Sequence, residues 1–522
     1  MIQRDPAKPS SGDSRRAARD QLFETDHLRK DLGGKAMRGG AITVTSKGLE
    51  FVLGLGSTVV LARLLTPEHF GTMAMAVIVL QFIMLFLQGG LSMATVQRSN
   101  ISEEQISSLF WVNAGLGVLL CGVMAAAAYP AARVFDTPEL TVIFLALAAQ
   151  PLIGGFGVQH LALLRRQMRF GVIGVIEVAA ASVSIVAAIV LAAMDFGVWA
   201  LVAMRLSAEL LRNVGFWLAC PWRPGRFQRS AGVRAMLRFG GNLTVFHLLQ
   251  NVAARLDFFV IGYFWGGHWL GLYERAQRVF LLPLSQMLGP ISIVAIPALS
   301  RLQDTPGKYR QSYLQILDKL LLMTMPLCAF IVGTSEWLVR IVLGPQWTEA
   351  NLVFTLFGVA ALFVPLGNTA GYLFVTQDRT REMPRWGLCD SGIKVVGVLV
   401  AIPFGPVGLA AAHAVRTFVA SVLVVWVVGR RGPVKPWDIY RSAIPFYSAA
   451  GLAILLVRAM RRFWPELDPV PGLAAALALV VFAFALVLML LPSGRATLRS
   501  TYEMLTLFRK GSAPLADPEK NL

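Results

Sequence analysis

"NVAARLDFFVIGYFWGGHWLGLYERAQRV" (251–279) runs apolar to about Phe264, turns through Gly266 and Gly267, and sets out again after Leu270-Gly271. That punctuation suits two successive helices in a chain whose backbone polar groups must be satisfied without water. A similar passage stands 200 residues earlier, "LARLLTPEHFGTMAMAV" (61–77), with Phe70-Gly71 in the place of Leu270-Gly271. A repeat at this distance divides the chain into two halves of like plan, an arrangement common among carriers.

The rest of the chain agrees. Of its 522 residues 56% are hydrophobic and only 15% charged, and the mean hydropathy is +0.61, far from the balance of a soluble domain. Apolar stretches of the roughly 20 residues needed to cross a 30 Å hydrocarbon core recur from Ala41 almost to the end. About fourteen are predicted, at 41–62, 71–94, 109–129, 140–160, 172–194, 197–219, 238–264, 279–299, 318–342, 351–375, 386–403, 407–428, 442–459 and 471–491. The expected fold is an all-α polytopic membrane protein, with two six-helix lobes (41–220 and 239–429), a basic cytoplasmic linker between them (221–238) and an additional helix pair (430–491). Residues 1–40 mix Arg, Asp, Ser and Pro without the apolar centre of a signal peptide, and read as a disordered basic tail. Residues 492–522 read as a second tail, and "LRKDLGGKAMRGG" (28–40) as a solvated linker.

On these boundaries the termini and the connections on their side hold about 34 Lys and Arg, the opposite connections about 8 and the spans about 6, which places both termini in the cytoplasm. The net charge of +18 is then a matter of topology and contact with anionic lipid. No basic, aromatic-bearing soluble domain is present to hold a nucleic acid. The longest outward connections are about 13 residues, too short for an external catalytic domain. No H-E-x-x-H or G-x-x-x-x-G-K-[ST] pattern occurs, and "GLG" at 54–56 reads as close helix packing. Cys121, Cys220, Cys328 and Cys389 are scattered without metal or disulfide spacing and are expected to pack as small apolar side chains. Neither cofactor nor metal is expected; a carrier, a channel or a scaffold is.

"VLARLLTPEHFGTMAMA", "RLDFFVIGYFWGGHWLGLYERAQRV", "PISIVAIPALSRLQ" and "VLGPQWTEA", in that order, resemble the polysaccharide-transporter branch of the multidrug/oligosaccharidyl-lipid/polysaccharide exporter superfamily, the O-antigen and exopolysaccharide repeat-unit flippases. The resemblance runs over about residues 40 to 490. It implies a multi-pass protein of the bacterial inner membrane that moves undecaprenyl-diphosphate-linked oligosaccharide to the periplasmic leaflet by alternating access and meets a polymerase and export complex. The rivals are a cation-coupled drug exporter or a peptidoglycan lipid-precursor flippase of the same superfamily, a membrane glycosyltransferase or polymerase, and an assembly scaffold.

A charge at mid-membrane costs about 2.5–3.5 kcal/mol on insertion scales, so it faces a partner or a wet cavity. The spans hold Lys47, Arg205, Arg212, Arg255, Lys394 and Arg416, with Glu50, Glu177, Glu209, Asp257 and Asp390. Lys47 and Glu50, Arg205 and Glu209, and Asp390 and Lys394 stand at helical neighbour spacing. Arg255 and Asp257 point about 200° apart and cannot satisfy each other. Arg255 either meets a diphosphate or acidic sugar with its guanidinium fork or joins an interhelical network; Asp257 is the more structural of the two. Arg416 has no acid at i±3 or i±4, which makes it the next cavity candidate, followed by Lys47, which can also snorkel to the interface, and by Arg205 and Lys394. Glu177, also without a helical-spacing partner, is a coupling candidate or a hydrogen-bonded structural Glu, and Glu50, Glu209 and Asp390 balance charge. His247 and His413 can answer to pH or simply pack. Trp265, Trp269, Trp347 and Tyr273 are expected in an interfacial belt. Pro283, Pro290, Pro297 and Gly289 are expected to interrupt the eighth span, with Pro326 and Pro365 as further kinks.

Overall fold

The computed structural model describes residues 32–88, 95–96, 101–228, 233–379, 381–464 and 468–509, with the backbone alone for 32–38, 41, 88, 233–252, 282, 504–505 and 507–509. The expected tails at 1–31 and 510–522, the linker at 229–232 and the side chain of His247 lie outside the described residues. Every described element is a helix. The long ones are α1 (Leu32–Leu64), α2 (Pro67–Gln88), α3 (Glu103–Val134), α4 (Leu140–Leu147), α5 (Ala149–Arg166), α6 (Phe170–Ala193), α7 (Val198–Ala219), α8 (Val233–Ser300), α9 (Pro306–Gly333), α10 (Asn351–Thr376), α11 (Met383–Ala401), α12 (Gly405–Gly429), α13 (Pro436–Phe463), α14 (Pro469–Leu490) and α15 (Pro492–Arg509).

Among the described residues, eleven segments are long and apolar enough to cross a membrane. Two of them, Ala253–Ser300 and Met383–Gly429, span 48 and 47 residues and each overlaps two predicted crossings. Helix α7 is a further 22-residue helix, less apolar because it carries Arg205, Glu209 and Arg212. Each predicted stretch thus overlaps a helix, and large side chains such as Val118, Leu119, Val175, Val186 and Leu218 stand exposed along them, as lipid-facing residues do.

The helices differ from expectation at two ends of the chain and in the interior of α8. Helix α1 begins at Leu32, so the supposed linker is helical from there. Residues 492–509 form α15 where an unstructured tail was expected: its Thr497 is buried and donates to Asp318 Oδ2 of α9 at 3.1 Å. The prolines of α8 lie within continuous helix; its one non-helical residue is Gly266, at φ 73° and ψ −171°, a conformation only glycine takes readily.

Four reversals share one design. After α3, α5, α6 and α10 the chain passes through left-handed Asp136, Met168, Asp195 and Asp378 (φ 48°, 54°, 60° and 54°). The following N–H groups reach back five residues, Thr137 to the carbonyl of Ala132, Arg169 to Leu164, Phe196 to Leu191 and Arg379 to Phe374, at 2.8–3.1 Å. These bonds occupy carbonyls that a helix end leaves over, and aspartate tolerates the left-handed region through its short polar side chain. The opposite end of α3 is closed by a capping box in which Ser102 and Gln105 bond each other's backbone N–H.

The chain forms two compact units, Met1–Glu274 and Arg275–Leu522. In the first, α6 lies between α1 and α7, α5 packs on α3 and α7, and α2 touches α3, α4, α5 and α7. Glycines set these approaches: a Cβ on Gly117 would come within 2.8 Å of the Pro151 carbonyl oxygen, and one on Gly155 within 2.7 Å of that of Asn113. The two repeated turns also meet inside this unit. A Cβ on Gly71 would sit 1.7 Å from the Gly267 oxygen and one on Gly271 1.9 Å from the Pro67 oxygen, while Glu68 and His268, 200 residues apart, are hydrogen-bonded, carboxylate to imidazole. In the second unit α10 packs on α12 and α9, α9 on α13, α13 on α14 and α11 on α12, with α15 against α14.

Candidate functional site

The membrane-embedded charges gather in separate clusters, and local packing decides their partners. Ser46 of α1 lies where a Cβ on Gly174 of α6 would stand 2.2 Å from its Oγ. That close crossing delivers Lys47 to Glu177, one turn further along α6. Lys47 Nζ donates to Glu177 Oε2 and to Glu50 Oε2, each at 2.9 Å. The Lys47–Glu50 pair expected at i, i+3 is therefore present, and Glu177, which has no partner within its own helix, acquires one from α1. One cation faces two carboxylates here, and Lys47 keeps half of its side chain accessible.

On α7, Arg205 and Glu209 take partners that their i, i+4 spacing did not indicate. Arg205 Nε donates to Gln150 Oε1 of α5 at 3.0 Å. Glu209 Oε2 accepts from Arg212 at 2.7 Å, and its Oε1 accepts from Asn213 Nδ2 at 3.1 Å. Gly157 of α5 makes room for this group, since a Cβ there would fall 1.4 Å from Asn213 Oδ1.

The question raised by Arg255 and Asp257 has an unequal answer. Asp257 is buried and accepts from the Tyr273 hydroxyl at 3.0 Å. The guanidinium of Arg255 lies over the Phe258 ring, 5.0 Å from its centroid, and among the described residues no carboxylate pairs with it. In the second unit Arg416 does have an acid, supplied by the neighbouring helix: its Nε donates to Asp390 Oδ1 at 3.1 Å and its Nη2 to Oδ2. Lys394, one turn from Asp390, is buried.

Two aromatic assignments change. Trp347 and Tyr273, expected in an interfacial belt, are both fully buried, whereas Trp265 and Trp269 are partly exposed. Tyr273 is needed inside to satisfy Asp257. Gln150 and Asn213 were not singled out in sequence, because neutral polar residues carry no charge imbalance to mark them. Cys220 and Cys328 are buried, Cys121 is partly so and Cys389 is exposed.

At the basic helix ends, Arg169 Nη1 donates to the Ala219 carbonyl of α7 at 3.0 Å, and Arg223 Nη1 to those of Cys220 and Trp222 at 2.8 and 2.9 Å. In the second unit Arg379 Nη1 donates to the Val428 carbonyl of α12 at 2.6 Å, and its Nε and Nη2 hold Glu382 at 3.0 and 2.7 Å. Hydrogen bonding from Arg379 keeps the Glu382 carboxyl below its ordinary range.

Known proteins share this sequence pattern and fold. The lipopolysaccharide biosynthesis protein WzxC of Escherichia coli (strain K12) is 25% identical over 333 residues, 63% of this chain and 67% of the relative. The teichuronic acid biosynthesis protein TuaB of Bacillus subtilis (strain 168) is 24% identical over 60% of this chain and 64% of its own. The succinoglycan biosynthesis transport protein ExoT of Rhizobium meliloti (strain 1021) is 25% identical over 63% and 67%. The aligned part is thus about two thirds of each relative's length. Among solved structures, the lipid II flippase MurJ in an inward closed conformation superposes with a TM-score of 0.69 over 86% of this chain and 98% of that one, at 12% identity. An inward-facing multidrug resistance MATE family transporter of the MOP superfamily gives 0.60 over 76% and 95%, at 15% identity. At such identities the likeness is one of fold. A family model described as polysaccharide biosynthesis protein matches residues 60–352, more than half of the sequence, and the chain belongs to that family.

Proposed function

We propose that the chain is a flippase, not an enzyme, that carries undecaprenyl-diphosphate-linked oligosaccharide repeat units from the cytoplasmic to the periplasmic leaflet of the bacterial inner membrane, for an exopolysaccharide, capsule or O-antigen. The observation that carries this reading is membership of a polysaccharide biosynthesis family by a chain with the fold of lipid and drug transporters. The relatives are named for the biosynthesis of different glycans, lipopolysaccharide, teichuronic acid and succinoglycan, so on this reading the common part of the cargo is its lipid diphosphate. Both termini are cytoplasmic, and the repeat units pass to a polymerase and export complex.

Transport by alternating access requires the cargo to bind two states unequally, since equal affinity shifts nothing. Arg255 is the first contact for the diphosphate: it lies in a span, offers a fork suited to phosphate oxygens, and is held by a ring rather than a carboxylate. Lys47, Arg205, Arg416 and Lys394 are secondary contacts, because the first three already hold polar partners and Lys394 is buried. Asp257 is a packing residue; Glu50, Glu177, Glu209 and Asp390 balance charge, with Glu177 the candidate for coupling to an ion.

Depletion of the protein, followed by mass spectrometry of lipid-linked oligosaccharides and a test of their accessibility to external enzymes, decides the matter. Complete repeat units should accumulate beyond reach of the enzymes. An unchanged lipid pool excludes the flippase. Arg255→Ala should reproduce the accumulation at normal membrane abundance; lost abundance would make Arg255 a packing residue.

A further inference from the structure

Between α5 and α7, within the first unit, runs an apolar groove of about 330 Å³. Ile153 and Phe156 of α5 and Leu210, Val214, Trp217 and Leu218 of α7 line it, with Asn213 as the polar residue. Leu210, Val214 and Leu218 are exposed, Leu218 at 79%, so the groove faces the lipid side of the unit. Its lining along α7 rises about 12 Å from Leu210 to Leu218, within the depth of one leaflet. One wall is rigid: Trp217 donates its indole N–H to the Phe156 carbonyl at 2.9 Å and stacks on the buried His160 ring.

The mouth of the groove is cationic. Both helices end there, α5 at Arg166 and α7 at Ala219. Arg223 lies over the Trp217 ring at 5.5 Å, and Arg169 caps the last carbonyl of α7, that of Ala219. Both guanidiniums are exposed and each still has N–H donors beyond those spent on α7. Among the described residues no carboxylate forms an ion pair with either. The corresponding arginine of the second unit, Arg379, is neutralised by Glu382. This end of the first unit lies on the side that the Lys and Arg bias makes cytoplasmic, where the leaflet is anionic.

We infer that the α5–α7 groove of the first unit is a binding site for one anionic glycerophospholipid of the cytoplasmic leaflet. Arg169 and Arg223 take the phosphate while continuing to cap α7, and an acyl chain follows Trp217, Val214 and Phe156 towards the membrane centre. The groove's volume lies at the small end of ligand clefts, about 300–1,000 Å³. It fits a single acyl chain and is short for a polyprenyl chain, so the occupant is a bilayer lipid and not the cargo.

Native mass spectrometry of the full-length protein, titrated with phosphatidylglycerol, phosphatidylethanolamine or undecaprenyl phosphate, tests this. Phosphatidylglycerol should bind at least ten-fold more tightly than phosphatidylethanolamine. In the double variant Arg169→Gln/Arg223→Gln that preference should vanish, and in Val214→Trp, which fills the groove and leaves both caps intact, binding of phosphatidylglycerol should fall about ten-fold. If the double variant does not fold, Val214→Trp alone decides. Equal binding of the two phospholipids, or undiminished binding to Val214→Trp, overturns the site. Undecaprenyl phosphate displacing phosphatidylglycerol in wild type but not in Val214→Trp would give the groove to the cargo's tail and overturn the assignment as well.

Discussion

Two corners of this protein are built alike and finished differently. In the first unit α5 ends in left-handed Met168, and the next residue, Arg169, caps the end of α7. In the second, α10 ends in left-handed Asp378, and Arg379 caps the end of α12. The offset is 210 residues, close to that of the two turn motifs. Each arginine satisfies carbonyls that a helix end leaves unpaired and places positive charge where the helix dipole is negative. The difference is in what remains. Glu382 consumes the surplus charge of Arg379, while Arg169 and Arg223 keep theirs. One device thus serves as a closed structural corner in one unit and as an open cationic one in the other.

The largest expected effect separates the helix pairs behind these corners. Gly157 of α5 and Gly367 of α10 stand at the same 210-residue offset. A Cβ on Gly157 would meet Asn213 Oδ1 at 1.4 Å, whereas one on Gly367 would find Ser421 no nearer than 3.9 Å. Gly157→Ala must displace Asn213 from Glu209 and should destabilise the protein by about 2–3 kcal/mol, as overpacking does. Gly367→Ala should change stability by less than about 0.5 kcal/mol, or raise it slightly. Thermal unfolding in detergent compares them, and equal shifts would contradict the crossing described for α5 and α7.

A smaller effect distinguishes the arginines. Arg379→Ala removes bonds to Val427 and Val428 and leaves Glu382 without its partner, for a loss of about 1–2 kcal/mol. Arg169→Ala removes one hydrogen bond, to the Ala219 carbonyl, and leaves no carboxylate behind, for a loss of about 0.5–1 kcal/mol. The pH dependence has a definite sign. Because Arg379 holds the Glu382 carboxyl down, its contribution is complete above the unfolded-state value of about 4.3 and fades as pH falls through the lower folded value. The stability difference between wild type and Arg379→Ala should therefore narrow as unfolding is measured from pH 6 down to pH 3; a difference that widened on acidification would reverse the assignment.

The smallest effect on stability converts one corner into the other. Residue 172 holds the place that Glu382 holds after Arg379, three positions beyond the capping arginine. Val172→Glu puts a carboxylate in the first turn of α6, where the helix dipole favours it, and should alter stability by less than about 0.5 kcal/mol. It should nevertheless lower phosphatidylglycerol binding several-fold, measured by the same titration. Unaltered binding would mean that the charge left over at this corner is not what the lipid reads.

The crossings were legible in sequence because the bilayer imposes a length and an apolarity that any spanning helix must meet, and the repeat was legible because both halves punctuate their turns in the same way. The charged positions were also visible, since each costs too much in lipid to stand there by accident. Their partners were not. Spacing along one helix indicated Arg205 with Glu209 and left Arg416 and Glu177 without company, yet Gln150, Asp390 and Lys47 come from other helices. Those meetings depend on glycines such as Gly174 and Gly157, whose missing side chains let helices close to distances no helical period encodes. Residue chemistry and periodicity therefore determined that this protein crosses the membrane and where its charges lie along each helix. Only tertiary packing decided which charges are spent on one another, because that balance turns on contacts between residues far apart in the chain.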